Sequence, residues 1–132
     1  MIFYKRRRKY KYNLHSDLVY ETGLEVELPS DLGPIEITSG GKLIIRKGYS
    51  WDGPSGPTID TVNFMQGSLI HDALYQLMRE GVLSQLDRKK ADQILRQVCL
   101  EDGMSEIRAW IVYMGVRLGG ASSAKPDMRT AP

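Results

Sequence analysis

The sequence predicts an α+β fold: an N-terminal antiparallel β-hairpin or small sheet followed by a three-helix bundle. Two observations carry this. Between residues 17 and 50 apolar and polar residues alternate mostly with a period of two, whereas after residue 60 the apolar positions recur at helical spacing. Strands first and helices afterwards is the order of an α+β chain. A length of 132 residues suits one domain with one modest core.

Residues 1–13 form a basic aromatic arm, in which the partial alternation of Tyr and Lys over 9–12 favours a strand. "LEVEL" (24–28) alternates apolar and acidic residues, as a strand with one wet face does. "IEIT" and "KLIIRKGY" flank Ser39-Gly40-Gly41, which predicts a β-hairpin over 35–49. "WDGPSGPTID" (51–60) carries Gly53, Pro54, Gly56 and Pro57, so it is neither a helix nor a central strand and reads as a loop.

The first helix shows an apolar series at Val62, Leu69, Ile70, Ala73, Leu74, Leu77 and Met78. Asp60 is its expected cap or pre-cap, and Gly81 its C-terminal stop. Asp87 is the expected cap of a second helix, 88–101, with the stripe Ala91, Ile94, Leu95 and Val98; Gly103 ends it. A third helix runs from near Ser105 to about Leu118. Ile107, Trp110, Ile111, Val112, Met114, Val116 and Leu118 make it apolar on most sides, which predicts that it is the central, most buried one. The chain thus divides into an arm (1–13), a single α+β domain (14–118) and a flexible C-terminal tail (119–132).

Composition narrows the function classes. The net charge is +2, yet Lys5, Arg6, Arg7, Arg8, Lys9 and Lys11 lie in one short segment, leaving −4 on the remainder. The basic character belongs to the arm. No apolar run approaches the roughly 20 residues that cross a bilayer, and the arm lacks the apolar stretch of a secretory signal. The lone Cys99 excludes an intramolecular disulfide, disfavours a cysteine-built zinc site and suits a reducing compartment.

The stretch "GSLIHDALYQLMREG" (67–81) holds the chemistry. Successive helical residues lie about 100° apart, so His71 and Tyr75 share one flank of the stripe centred on Ile70, Leu74 and Leu77, together with Phe64 and Ser68. Asp72 falls a further turn of about 100° round, toward solvent, so His71 and Asp72 do not act as one chelating unit. On the second helix Asp92 takes the matching flank, one turn after Arg88, and a short connection makes the two helices antiparallel neighbours. Asp92 is thereby expected to meet His71. A carboxylate on one imidazole nitrogen leaves the other free as a base or ligand. The same residues also read as a hydrogen-bond network that pins two helices, and spacing alone leaves both readings open.

"KGYSWDGPSGP", "SLIHDALYQLMREG" and "DRKKADQIL", in that order, resemble the phage- and prophage-associated family of unknown function numbered 1353. Its members pair an Asp-Gly-x-Ser loop with a His-Asp-x-Leu-Tyr helix and an Ala-Asp helix, and the resemblance spans about residues 17–118. It implies Asp52, Ser55, His71, Asp72, Tyr75 and Asp92 as the family's positions, and a tailed-phage origin. The chain is then expected in host cytoplasm or in a virion, with phage structural proteins as partners. Gly56 is an insertion relative to many members, and the basic arm is not part of the pattern. The His-Asp-x-x-Tyr helix facing an Asp is also similar to that of secreted phospholipases A2, but the flanking cysteines and the glycine-rich calcium loop of those enzymes are missing.

Other motifs weigh less. The G-x-S-x-G pattern around Ser55 fails at Pro57, so Ser55 is expected to brace its loop. "SGGKL" lacks the spacing of a phosphate loop. Asp52 reads equally as a third carboxylate over His71 or as an Asx-turn residue. Asp52, His71 and Asp92 are the candidate ligands should a divalent metal ion bind. Trp51 is expected to lid the core, and His15 stands alone. The arm residues Lys5, Arg6, Arg7, Arg8, Lys9 and Lys11, interleaved with tyrosines, suit nucleic-acid phosphates and bases, or else a charged edge strand or docking arm for an acidic protein. Three function classes follow: a hydrolase-like protein with His71 as base, oriented by Asp92 and assisted by Asp52 or Asp72; a non-enzymatic phage structural or assembly protein; and a nucleic-acid-binding accessory protein.

Overall fold

A computed structural model describes residues 4–6, 12–51 and 62–120. The expectations for Asp52, Ser55, Asp60, Arg7, Arg8, Lys9, Lys11 and the tail beyond Gly120 lie outside the described residues.

The architecture is α+β, with antiparallel strands in two small sheets preceding three helices. The strands are β1 (Tyr4–Arg6), β2 (Tyr12–Leu14), β3 (Leu18–Glu21), β4 (Ser30–Asp31), β5 (Ile35–Ile37), β6 (Lys42–Ile45) and β7 (Ser50–Trp51). One sheet has the order β1-β2-β7 and the other β3-β6-β5-β4. The backbone of Tyr4–Arg6, at the start of the basic arm, is thus the edge of a sheet, registered against Tyr12–Leu14.

The expected hairpin is β5–β6, with Ile35 opposite Ile45 and Ile37 opposite Leu43. All four are fully buried, because alternate residues of both strands point to one face. Gly41 closes the turn at φ 84°, where a Cβ would stand 2.5 Å from the Leu24 carbonyl oxygen. This close approach explains a correction. "LEVEL" buries Leu24 and Val26 and exposes Glu25 and Glu27, yet it belongs to no strand. The Leu24 amide donates to Thr22 Oγ1, and the Thr22 hydroxyl donates to the Gly41 carbonyl. The segment is extended chain laid over the turn, for which a period of two is equally diagnostic.

The helices are α1 (Val62–Arg79), α2 (Arg88–Glu101) and α3 (Glu106–Gly119). Gly81 follows α1 at φ 79°, and Gly103 follows α2 at φ 97°. Ser105 caps α3, accepting from the Arg108 amide. Asp87 precedes α2 but makes no side-chain cap bond, contrary to expectation. A 3-10 turn over Gln85–Asp87 runs straight into α2, so the Arg88 amide already donates to the Gln85 carbonyl, and Ser84 caps the combined unit.

The third helix is not the most buried one. That place belongs to α1, whose Leu69, Ile70, Ala73, Leu74, Leu77 and Met78 join Ile35, Ile37, Leu43 and Ile45 in the main core cluster. A smaller cluster sets Ala109 and Val112 of α3 against Leu95 and Cys99 of α2 and Phe64 of α1. The outer side of α3 is exposed, with Ile107 at 76%, Trp110 at 52%, Ile111 at 58% and Leu118 at 82%. Composition counts both faces of a helix and does not reveal which one meets the core.

The two helices should therefore respond differently to truncation. Leu74→Ala is expected to cost about 2–5 kcal/mol in urea unfolding, and Leu118→Ala within about 0.5 kcal/mol of zero for the isolated chain.

Candidate functional site

The site is the seam where α1 and α2 run side by side. Gly67 lies where they approach: a Cβ at this position would stand 2.9 Å from Cys99 Sγ and 3.0 Å from Leu95 Cδ1. One turn further along α1, His71 faces Asp92 across the seam. His71 Nε2 lies 2.7 Å from Asp92 Oδ1, and Tyr75 Oη donates to the same oxygen at 2.6 Å. The His71 and Tyr75 rings are tilted, with centroids 4.2 Å apart, as expected for residues at i and i+4 on one helix face.

The second carboxylate oxygen is met from α2 itself and from α3. Arg117 Nη1 donates to Asp92 Oδ2 at 2.8 Å, and Arg88 Nη1 stands 3.6 Å from it while also donating to the Val116 carbonyl at 3.3 Å. Asp92 is completely buried, and His71 is 7% exposed. Burial pushes the Asp92 carboxyl up, but the hydrogen bonds from His71, Tyr75 and Arg117 together outweigh it and hold the group below the ordinary carboxylate range. Burial, followed by the bond to Asp92, pushes the Tyr75 phenol well up, so it remains a donor.

Because Asp92 accepts at Nε2, a neutral His71 carries its proton there and its lone pair on Nδ1. Nδ1 has no hydrogen-bond partner among the described residues. Ser68, on the same flank one turn earlier, donates to the Met65 carbonyl at 2.9 Å and accepts from Trp51 Nε1 at 3.2 Å. Trp51 is buried, and its indole ties the strand end before the 52–61 segment to the His71 flank. Asp72 is half-buried and is not among the four side chains that reach Asp92. His15 is exposed.

Of the candidate metal ligands, His71 and Asp92 are engaged with each other, and both Asp92 oxygens face donors. No group of three His, Cys, Asp or Glu side chains that would hold an ion occurs among the described residues, to which Asp52 does not belong. Arg117 was not foreseen from sequence. Its only local signal is a basic residue in the last turn of an otherwise apolar helix, where it also suits the helix dipole.

The carboxylate's role carries a pH signature. A folded pKa below the unfolded one contributes stability that is present above the unfolded value, near 3.8, and is lost as pH falls through the folded value. Asp92→Asn is expected to destabilise the chain by about 2–4 kcal/mol at neutral pH. That difference should shrink as acid unfolding scans go below the ordinary carboxylate range.

A family model described as a protein of unknown function (DUF1353) matches residues 34–116. The match runs from the β5–β6 hairpin through most of α3. It includes His71, Asp72, Tyr75, Arg88 and Asp92, stops one residue before Arg117, and is shorter than the span expected from the motifs. No curated protein and no solved structure matches the chain. With more than half of its length matched, the chain belongs to the DUF1353 family of proteins of unknown function.

Proposed function

We propose that the chain carries a hydrolase-like site in which His71 Nδ1 is the general base. The observation that supports this is an imidazole anchored through Nε2 to a buried carboxylate while Nδ1 lacks a partner among the described residues. A histidine serving packing alone usually satisfies both ring nitrogens. In the proposed step, Nδ1 takes a proton from a water molecule as the oxygen adds to an electrophilic carbon or phosphorus. The ring becomes an imidazolium whose Nε2–H still points at Asp92. Asp92 orients the ring and stabilises that charge; Tyr75, Arg117 and Arg88 keep Asp92 ionised in its buried position. Asp52 or Asp72 is proposed to assist from the Nδ1 side. The setting we propose is that of a tailed-phage accessory protein, supported by the resemblance of the three motifs.

A second reading has its own observation. Asp92, on α2, draws donors from α1 and α3, so one carboxylate joins three helices. In this reading the network is a clasp and the protein is a non-enzymatic phage assembly component. The nucleic-acid reading rests on the arm; the backbone pairing of Tyr4–Arg6 supports a charged edge strand there.

His71→Gln separates the first two readings, because the glutamine amide replaces the Nε2–H donor and offers no lone pair at Nδ1. The proposed base predicts a melting temperature within a few degrees of the parent. It also predicts about a hundredfold or greater loss of turnover on a panel of chromogenic carboxylic and phosphoric esters. A clearly lowered melting temperature, with no ester hydrolysed by the parent, would favour the clasp.

A further inference from the structure

The outer face of α3 is an unusual surface. With about 100° per residue, Ile107, Trp110, Ile111, Met114 and Leu118 fall within one arc roughly 100° wide, opposite Ala109, Val112 and Val116. The inner face that meets α2 is thus built from smaller residues than the outer one. Four of the five outer residues are more than half exposed, and Met114 is half-buried. A continuous apolar stripe of this size marks an interaction surface.

We propose that this face pairs with the same face of a second copy, as an antiparallel two-fold α3–α3 interface. Three features favour a second copy over an unrelated partner. First, the stripe is nearly symmetric about its middle: a two-fold axis near residues 112–113 sets Ile111 against Met114 and Ile107 against Leu118, and sets Trp110 against Gly115, beside which there is open space for the indole. Second, the charges match under the same operation. Glu106, in the first turn, and Arg117, in the last, lie on one flank of the stripe, so reversal of the helix brings Glu106 of each copy to Arg117 of the other. Arg117 gives Nη1 to Asp92 and retains further N–H groups for that contact. The antiparallel helix dipoles add to the match. Third, the exposed parts of the five side chains come to on the order of 600 Å² per copy, so pairing covers roughly 1,200 Å², the lower bound for a specific interface. The expected complex is a dimer that dissociates on dilution.

Analytical ultracentrifugation of the full chain, over a concentration series, should show a monomer–dimer equilibrium. Ile111→Asp should weaken it about thirtyfold or more while leaving the helical circular dichroism of the monomer unchanged. If that variant fails to fold, Leu118→Gln is expected to weaken dimerisation in the same direction. Cross-linking tests the register. Ile111→Cys, close to the axis, should form a disulfide-linked dimer on mild oxidation. Ile107→Cys and Leu118→Cys should cross-link efficiently with each other when mixed and poorly with themselves. Cys99 does not compete, since burial pushes its thiol up to about 12. A single-chain mass at every concentration would overturn the proposal. So would a dimer indifferent to both substitutions, or a monomer that binds phospholipid vesicles through this face.

Discussion

A carboxylate removed completely from water constrains the rest of this structure. An unpaired charge in such a position costs several kcal/mol, so Asp92 has to be surrounded by donors or expelled. Its hydrogen-bond donors come from two other helices, His71 and Tyr75 from α1 and Arg117 from α3, and the Arg88 guanidinium of α2 adds an ion pair at 3.6 Å. This requirement acts beside apolar packing on the rotation of each helix about its axis, since a rotated helix would carry its donor away. Gly67 lies on the same seam, where a Cβ would press on Cys99 Sγ and Leu95 Cδ1 and oblige those side chains to shift.

The arrangement divides the imidazole into two ends with different environments. Nε2 is held against a carboxylate that is itself held by cations and a phenol. Nδ1 has no hydrogen-bond partner among the described residues. Rigid support at one end, and at the other a lone pair with no partner among the described residues, suit proton transfer, since the ring need not reorient as it gains charge. The clasp and the base are compatible roles for one network.

Much of this was legible in the sequence because helical geometry is regular. The spacing 64, 68, 71, 75 set Phe64, Ser68, His71 and Tyr75 on one flank, and the short 80–87 connection made α2 an antiparallel neighbour with Asp92 facing them. The β5–β6 hairpin and the glycine stops were legible for the same reason: each is dictated by local backbone geometry. Arg117 was not, because its approach to Asp92 depends on where α3 docks, which no local pattern encodes. The burial of α3 was misjudged since its apolar residues outnumber the positions that α2 and Phe64 cover. Asp87 reads as a cap, but the preceding 3-10 turn puts its backbone in the helical region, at φ −86° and ψ −1°, and not in the extended conformation from which a capping side chain reaches the first-turn amides. "LEVEL" shows that alternation reports an extended chain over a core, with or without a paired strand.

Which nitrogen of the His71 ring carries the proton decides whether Nδ1 can act as a base, and nitrogen-15 NMR of the side chain reads this directly. At a pH where the ring is neutral, Nε2 should appear as the protonated, pyrrole-type nitrogen, with a strongly deshielded proton bonded to Asp92. Nδ1 should appear as the pyridine-type nitrogen with its lone pair available. A ring protonated at Nδ1 and bare at Nε2 would contradict this assignment, because Nε2 would then face the Asp92 carboxylate with no proton to donate.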